Sequence, residues 1–314
     1  MQSPLQPFAD GLLEVEPGVQ IYWEQSGNPT GEPVLYLHGG PGDGLGKGDW
    51  RRLYVTGRTR VVALDQRGCG RSRPLVSDAP ASLATNTTQT LIADLEALRE
   101  HLGITCWLVS GISWGTTLAL AYALAHPERV TGLALAAVMT TSREEVAWLT
   151  EAMGNIFPEA WEGFASSSGL RAGERIVDAY ARRLAGGDSE DRAAAALAWD
   201  SWENTHLSLA PGRPQRKLLH EDPIERLVFA TLVTHYWSHD AFLPGEQALL
   251  TRASELTGIP LAMVHGRHDI SCPVITAWRI QQALPGSMLV VVEDAGHGGA
   301  GIYRQLRQAL IAML

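Results

Sequence analysis

The stretch Cys106-Trp107-Leu108-Val109-Ser110-Gly111-Ile112-Ser113-Trp114-Gly115-Thr116-Thr117-Leu118-Ala119-Leu120-Ala121-Tyr122-Ala123 changes character in its middle. Up to Ser110 it is a short apolar run of strand type, and from Thr116 it reads as a helix of small residues. The junction is a Gly-x-Ser-x-Gly. A serine on so sharp a strand-to-helix turn is lifted above the sheet edge, and a glycine two residues to either side lets the two backbones approach without a Cβ collision. The competing reading, a chance glycine-rich turn, has to be weighed against the rest of the chain.

Working outward, Pro33–Leu37, Arg60–Leu64, Trp107–Val109 and Val130–Leu135 are short apolar runs. Helical segments near Thr90–Leu102 and Thr116–His126 separate the later ones. Continuous apolar strands alternating with helices imply a mostly parallel sheet covered on both faces, an α/β class. After Met139 the pattern turns helical and polar, with an alanine-rich stretch around Ala193–Ala198, and strand character returns only at Pro260–Val264 and Met288–Val292. The reading is a split catalytic domain, residues 1–138 and 252–314, with a helical cap inserted over 139–251.

The 314 residues, 45% of them hydrophobic and 19% charged, suffice for one large α/β domain with an insertion. No apolar run reaches the length of a membrane span, and Met1-Gln2-Ser3-Pro4-Leu5-Gln6 lacks a basic and apolar leader, so a cytoplasmic location is expected. Three widely spaced cysteines (Cys69, Cys106, Cys272) argue against a disulfide framework or a CxxC metal site. A net charge of −9 argues against nucleic acid as a partner. Between Met139 and Thr251 lie 17 acidic and 10 basic residues, a net of −7, with five of the ten tryptophans: Trp148, Trp161, Trp199, Trp202 and Trp237. Such an insert reads either as a lid that attracts a cationic substrate or as solvated helix faces around ordinary core aromatics.

A serine hydroxyl needs a base within reach and an acid behind that base. On a strand-turn-helix elbow the expected chain order is serine, acid, histidine, each beyond a strand end. Asp269 follows the Pro260–Val264 run in His265-Gly266-Arg267-His268-Asp269, and His297 follows the Met288–Val292 run in Glu293-Asp294-Ala295-Gly296-His297. Ser113, Asp269 and His297 are therefore the expected triad; His265 and His268 compete for the base, and Asp294 for the acid. His38-Gly39-Gly40-Pro41-Gly42, after the first strong strand, is a loop able to turn backbone N–H groups on a developing oxyanion, with the amides of Gly40 and Trp114 as the expected donors.

Together, His38-Gly39-Gly40-Pro41-Gly42, Asp65-Gln66-Arg67-Gly68-Cys69-Gly70-Arg71-Ser72, Gly111-Ile112-Ser113-Trp114-Gly115, Gly266-Arg267-His268-Asp269-Ile270-Ser271-Cys272-Pro273 and Ala295-Gly296-His297 resemble the signature of the proline iminopeptidase (prolyl aminopeptidase) family of α/β-hydrolases. Cap elements Phe157-Pro158-Glu159-Ala160-Trp161 and Trp199-Asp200-Ser201-Trp202-Glu203 extend the resemblance over nearly the whole chain. It implies an α/β-hydrolase fold with a helical cap and a cofactor-free cleavage of an N-terminal proline from a short peptide through an acyl-enzyme. Acidic cap residues would grip the free amino group, Glu203 among them, with Gly39, Trp202 and Tyr236 also on the substrate.

The chain departs from the family at two places. Where the family reads Arg-Ile-Glu-Asn-His-Tyr-Phe, Thr231-Leu232-Val233-Thr234-His235-Tyr236-Trp237 puts valine at the glutamate position. After the histidine, Gly298-Gly299-Ala300 replaces a serine and an aromatic, which implies an altered pocket wall. These departures raise an alternative: an amidase or esterase of the same scaffold acting on another aminoacyl or ester small molecule. A non-enzymatic binding protein that kept only the fold is the reading from a different class. His235, His239 and Asp240 could present a metal on one helix face, but no glutamate sits where a H-E-x-x-H site needs it, so a structural or substrate-facing role is expected.

Overall fold

The computed structural model describes residues 6–46, 50–54, 57–207 and 218–314. Residues 1–5, on which the expectation about a leader rests, and residues 208–217 of the insert lie outside the described residues. The strands are β1 (Ala9–Glu16), β2 (Val19–Gly27), β3 (Glu32–Leu37), β4 (Thr59–Asp65), β5 (Trp107–Ile112), β6 (Val130–Ala136), β7 (Leu261–Gly266) and β8 (Met288–Val292). The helices are α1 (Trp50–Tyr54), α2 (Thr88–His101), α3 (Trp114–Ala125), α4 (Arg143–Thr150), α5 (Pro158–Ser166), α6 (Ile176–Gly186), α7 (Ser189–Leu207), α8 (Pro223–Ser238), α9 (Leu249–Arg252), α10 (Ile275–Ala283) and α11 (Ala300–Met313).

The strands form one sheet in the order β1-β2-β4-β3-β5-β6-β7-β8. From β4 through β8 every pairing is parallel, and only β2 runs against its neighbours. Each apolar run of the sequence is one of these parallel strands; those inside the sheet are largely buried, whereas the edge strand β8 has no fully buried residue. The hairpin β1–β2 was not among the expected strands. Its first strand alternates half-buried and exposed residues along Ala9–Glu16, with Gly18 at φ +78° in the connection, so it shows one face to solvent.

Between β6 and β7 the described residues form only helices and turns. The first of these, α4, is started by a capping box in which Ser142 and Glu145 bond each other's backbone N–H. Glu145 also accepts from Thr276 Oγ1 at 2.5 Å, tying the insert to α10. Aromatic residues of this segment pack on one another, within a buried cluster that also holds sheet and α3 residues such as Leu35, Val62 and Leu118. Phe164 stacks on Tyr180 (4.8 Å between centroids) and on Trp202 (5.0 Å), and Trp199 meets Trp237 edge-on at 5.7 Å. The indoles of Trp148, Trp161 and Trp202 donate to the carbonyls of Ile270, Thr150 and Leu149. The tryptophans of the insert are thus packing residues rather than a displayed apolar lid.

The end of this helical segment is tied to the residues that open α2. His235 Nε2 donates to Asn86 O at 2.8 Å, Tyr236 OH donates to Asn86 Oδ1 at 2.6 Å, and Thr88 Oγ1 donates to Ala241 O at 2.5 Å. Burial lowers the His235 pKa to about 4, partly offset by that carbonyl, with His239 lowering it further. An imidazole easier to protonate in the unfolded chain leaves stability intact above the ordinary value of 6.5 and erodes it as pH falls from there toward about 4. Chemical unfolding at pH 7 and pH 5 should therefore show His235→Gln losing less stability on acidification than the parent, by about 1–2 kcal/mol. Equal losses would contradict the assignment.

Candidate active site

The elbow is built as its sequence implies. Ser113, between β5 and α3, sits at φ 58°, ψ −127°, a region ordinary residues avoid. Its N–H donates to Ala136 O at 3.1 Å, and its carbonyl accepts from Thr116 N at 2.8 Å and Thr116 Oγ1 at 2.7 Å. A Cβ on Gly111 would stand 2.2 Å from Gly115 O, and one on Gly115 would stand 2.2 Å from Leu37 O. Both glycines are steric requirements of the crossing between β5, α3 and β3.

Asp269 and His297 come from the turns after β7 and β8. Gly266, at the end of β7, has Gly296 O where a Cβ would be, only 2.1 Å away, so the two loops interlock. His297 Nδ1 lies 2.9 Å from Asp269 Oδ2 and 3.1 Å from Oδ1. Burial alone would raise the Asp269 carboxyl. The charge and hydrogen bond of His297, the nearby His265 ring and the Cys272 N–H outweigh it and hold the carboxyl below its usual range. Asp269 is therefore an ionised acceptor behind the imidazole.

The alternative bases and acid fall elsewhere. His265 accepts from Val138 N–H at Nδ1 (3.1 Å) and so donates from Nε2 to Cys272 O (2.5 Å); burial pushes its pKa down. That ring is a neutral strut beneath Asp269. The side chains of His268 and Asp294 are exposed. The His235 Nε2 serves Asn86, and His239 Nδ1 lies 2.8 Å from His235 O.

Two sulfurs that the triad reading does not use line the site. Ser113 Oγ lies 3.9 Å from Met139 Sδ, and Cys272 Sγ lies 3.8 Å from the same atom. The Ser113 hydroxyl is within hydrogen-bonding reach of the Cys272 thiol, and donor atoms of Cys272, Asp269 and His297 lie within 4.8 Å of one another. These shared neighbours bring Ser113 to the Asp269–His297 pair. Burial, reinforced by the charges of Asp269, Glu145 and Glu203, pushes the thiol well above its ordinary pKa, so it stays protonated near neutrality.

The loop after β3 is held from two sides. His38 Nε2 accepts from Gln66 N–H (3.1 Å), which leaves Nδ1–H to donate to Gly39 O (2.8 Å). In a planar trans peptide the N–H points opposite to the C=O, so pinning Gly39 O toward His38 turns the Gly40 N–H away from it. Farther along, Asp65 Oδ1 accepts from Leu45 N–H at 2.5 Å. A Cβ on Gly39 would lie 3.3 Å from Ser113 Cβ, so this loop runs beside Ser113. The Trp114 amide opens α3, where the first N–H groups have no intrahelical acceptor.

The insert contributes Glu203, which is 6% exposed and close enough to Cys272 to raise its pKa. Its Oε2 lies 3.2 Å from His206 Nε2, but the ring is out of line for a hydrogen bond. Trp202 and Tyr236, expected on the substrate, are buried in packing. The Trp202 ring stacks within the insert, and the Tyr236 ring packs 4.6 Å from Trp114, its hydroxyl committed to Asn86. His38, Met139 and Asp43 were not singled out from sequence; for His38 the available signal was its place at the exact end of the first strong strand.

This architecture, with a serine elbow, an acid and a histidine at successive strand ends, is that of an α/β-hydrolase. The family model described as "alpha/beta hydrolase fold" matches residues 32–300. Solved structures agree on the fold alone: an esterase from Exiguobacterium antarcticum (TM-score 0.62, 20% identity, 97% of this chain and 98% of that one) and a haloalkane dehalogenase loop variant from Bradyrhizobium elkanii (TM-score 0.64, 18% identity, 97% of each).

Sequence relatives narrow the class. A probable proline iminopeptidase of Streptomyces coelicolor is 44% identical over 297 residues, covering 93% of this chain and 91% of that protein. The proline iminopeptidase of Neisseria gonorrhoeae is 42% identical over 294 residues, with the same coverages. That of Arabidopsis thaliana is 40% identical over 299 residues, covering 95% of this chain and 77% of that protein. The chain belongs to the proline iminopeptidase family.

The elbow's steric demand is directly testable. Gly115→Ala should cost more than about 3 kcal/mol in chemical unfolding or prevent folding. Gly163→Ala, in α5 with nothing within 4 Å of the new methyl, should stabilise by about 0.5–1 kcal/mol.

Proposed function

We propose that this protein is a serine aminopeptidase that releases N-terminal proline from short peptides, with Ser113 as nucleophile, His297 as base and Asp269 as orienting acid. The observation that supports this most directly is the convergence of the Asp269–His297 pair, at 2.9 Å, on the Ser113 elbow through Cys272 and Met139. His297 takes the Ser113 proton as Oγ bonds to the prolyl carbonyl carbon. The Gly40 and Trp114 N–H groups receive the oxyanion. The protonated histidine then gives its proton to the leaving nitrogen, the C–N bond breaks, and a prolyl ester remains on Ser113. Water, deprotonated by the same imidazole, hydrolyses that ester. These steps balance with the chain's own groups and water, and call for no cofactor.

In this reading the insert, 139–251, caps the catalytic domain of 1–138 and 252–314, and Glu203 pairs with the substrate's terminal ammonium. An excess of acidic charge in the insert suits a cationic substrate and repels nucleic acid. Among the described residues no helix is long and apolar enough to cross a membrane. Three free thiols, Cys69, Cys106 and Cys272, suit the reducing cytoplasm, where we place the activity. The relatives favour prolyl substrates over the alternative of an amidase or esterase acting on another compound.

The test is kcat/KM on prolyl, alanyl and acetyl 4-nitroanilides. Prolyl should be preferred by at least tenfold, and Ser113→Ala should lose at least about 10⁴-fold in kcat while Cys272→Ala stays within about tenfold. Equal rates on all three substrates would point to another acyl group. With His297 as base, kcat/KM should fall on the acid side of neutrality, and a flat profile from about pH 5 to 8 would contradict the assignment.

A further inference from the structure

The loop that borders the nucleophile carries a carboxylate whose place matches the one the cap lacks. Asp43 lies three residues after Gly40, and its Oδ2 would be 3.6 Å from a Cβ on Gly39, itself 3.3 Å from Ser113 Cβ. Its Oδ1 is 3.2 Å from Nε2 of His220, a residue just before α8. The other side of that ring is held by Asp200 of α7, with Nδ1 2.5 Å from Asp200 Oδ1. Asp200 also accepts from the Leu219 and His220 N–H groups, and the His220 ring lies 4.3 Å from Phe229. Asp43 and Asp200 thus place two carboxylates on one imidazole, at Nε2 and at Nδ1.

The packing of α8 relates this charge to position 233. Residues 229, 232, 233 and 236 share one face of the helix. At its start, the Cβ position of Gly42 lies 3.1 Å from Phe229 Cα and 3.2 Å from Leu232 Cδ1; at its end, Tyr236 lies on Trp114. Val233, fully buried, lies on the helix between the residues that make these two contacts. The loop that carries Asp43 therefore packs on the part of the helix that bears Val233.

Resting on the aminopeptidase reading above, we propose that Asp43 is the second carboxylate that faces the substrate's terminal ammonium, opposite Glu203, in the role Val233 cannot fill. His220 and Asp200 hold it in place, with Oδ1 on the ring and Oδ2 turned toward Gly39 and the serine. Specificity for a free N-terminus is thereby shared between the cap and the oxyanion loop.

The experiment compares two substrates: prolyl 4-nitroanilide and the 4-nitrophenyl ester of cyclopentanecarboxylic acid, which has proline's ring shape without its nitrogen. The readout is the ratio of their kcat/KM values in the parent enzyme, Asp43→Asn and His220→Gln. Asp43→Asn should lower the ratio at least tenfold, mainly through KM of the prolyl substrate. His220→Gln, which keeps the carboxylate, should lower it less than threefold. Should Asp43→Asn fail to fold, Asp43→Ser is read the same way. Equal losses on both substrates, or an equal fall of the ratio in His220→Gln, would overturn the proposal and leave Asp43 a structural tie. A parent enzyme with no activity on the prolyl substrate would instead overturn the aminopeptidase reading, and this proposal with it.

Discussion

The backbone crossing at Ser113 is the constraint on which the rest depends. The serine holds a conformation that costs on the order of 1–3 kcal/mol, and the surrounding structure must impose it. It is imposed by contacts with no room for side chains: Gly111 against the Gly115 carbonyl, Gly115 against the carbonyl of Leu37, and the Ser113 N–H on Ala136. Three neighbouring strands, β3, β5 and β6, therefore fix one hydroxyl. The same crossing brings the β3 loop beside the nucleophile, so the serine and the groups that would receive its oxyanion are set by a single packing event.

Around that point, neutral and charged histidines divide the labour. His38 and His265 each accept a backbone N–H on one nitrogen and donate to a backbone carbonyl with the other, which makes them fixed neutral struts under the oxyanion loop and under Asp269. His297 meets a buried, ionised carboxylate, and in the proposed mechanism it takes up the serine proton. His220 lies between two carboxylates and couples the insert to the loop beside the serine. Similar side chains thus play different parts because of what each nitrogen faces.

Much of this was legible in the sequence, for identifiable reasons. The parallel strands inside the sheet read as continuous apolar runs because both their faces are buried, and the elbow read as glycines at fixed spacing because its sterics are local. The β1–β2 hairpin was missed because its half-exposed alternation leaves no apolar run, although Pro17-Gly18 marks its turn. Trp202 and Tyr236 were legible as important aromatics, but their burial in packing is a tertiary fact. The same holds for Met139 and for Asp43, whose neighbour His220 is 177 residues away in the chain.

The central claim is that Ser113, and not the thiol beside it, carries the acyl group. Acid-quenching the enzyme during turnover of a prolyl ester, then mapping the peptides by mass, tests it most directly. The account predicts one prolyl group on the peptide that contains Ser113. A prolyl group on the Cys272 peptide, or no covalent adduct under conditions where turnover shows a burst, would contradict it.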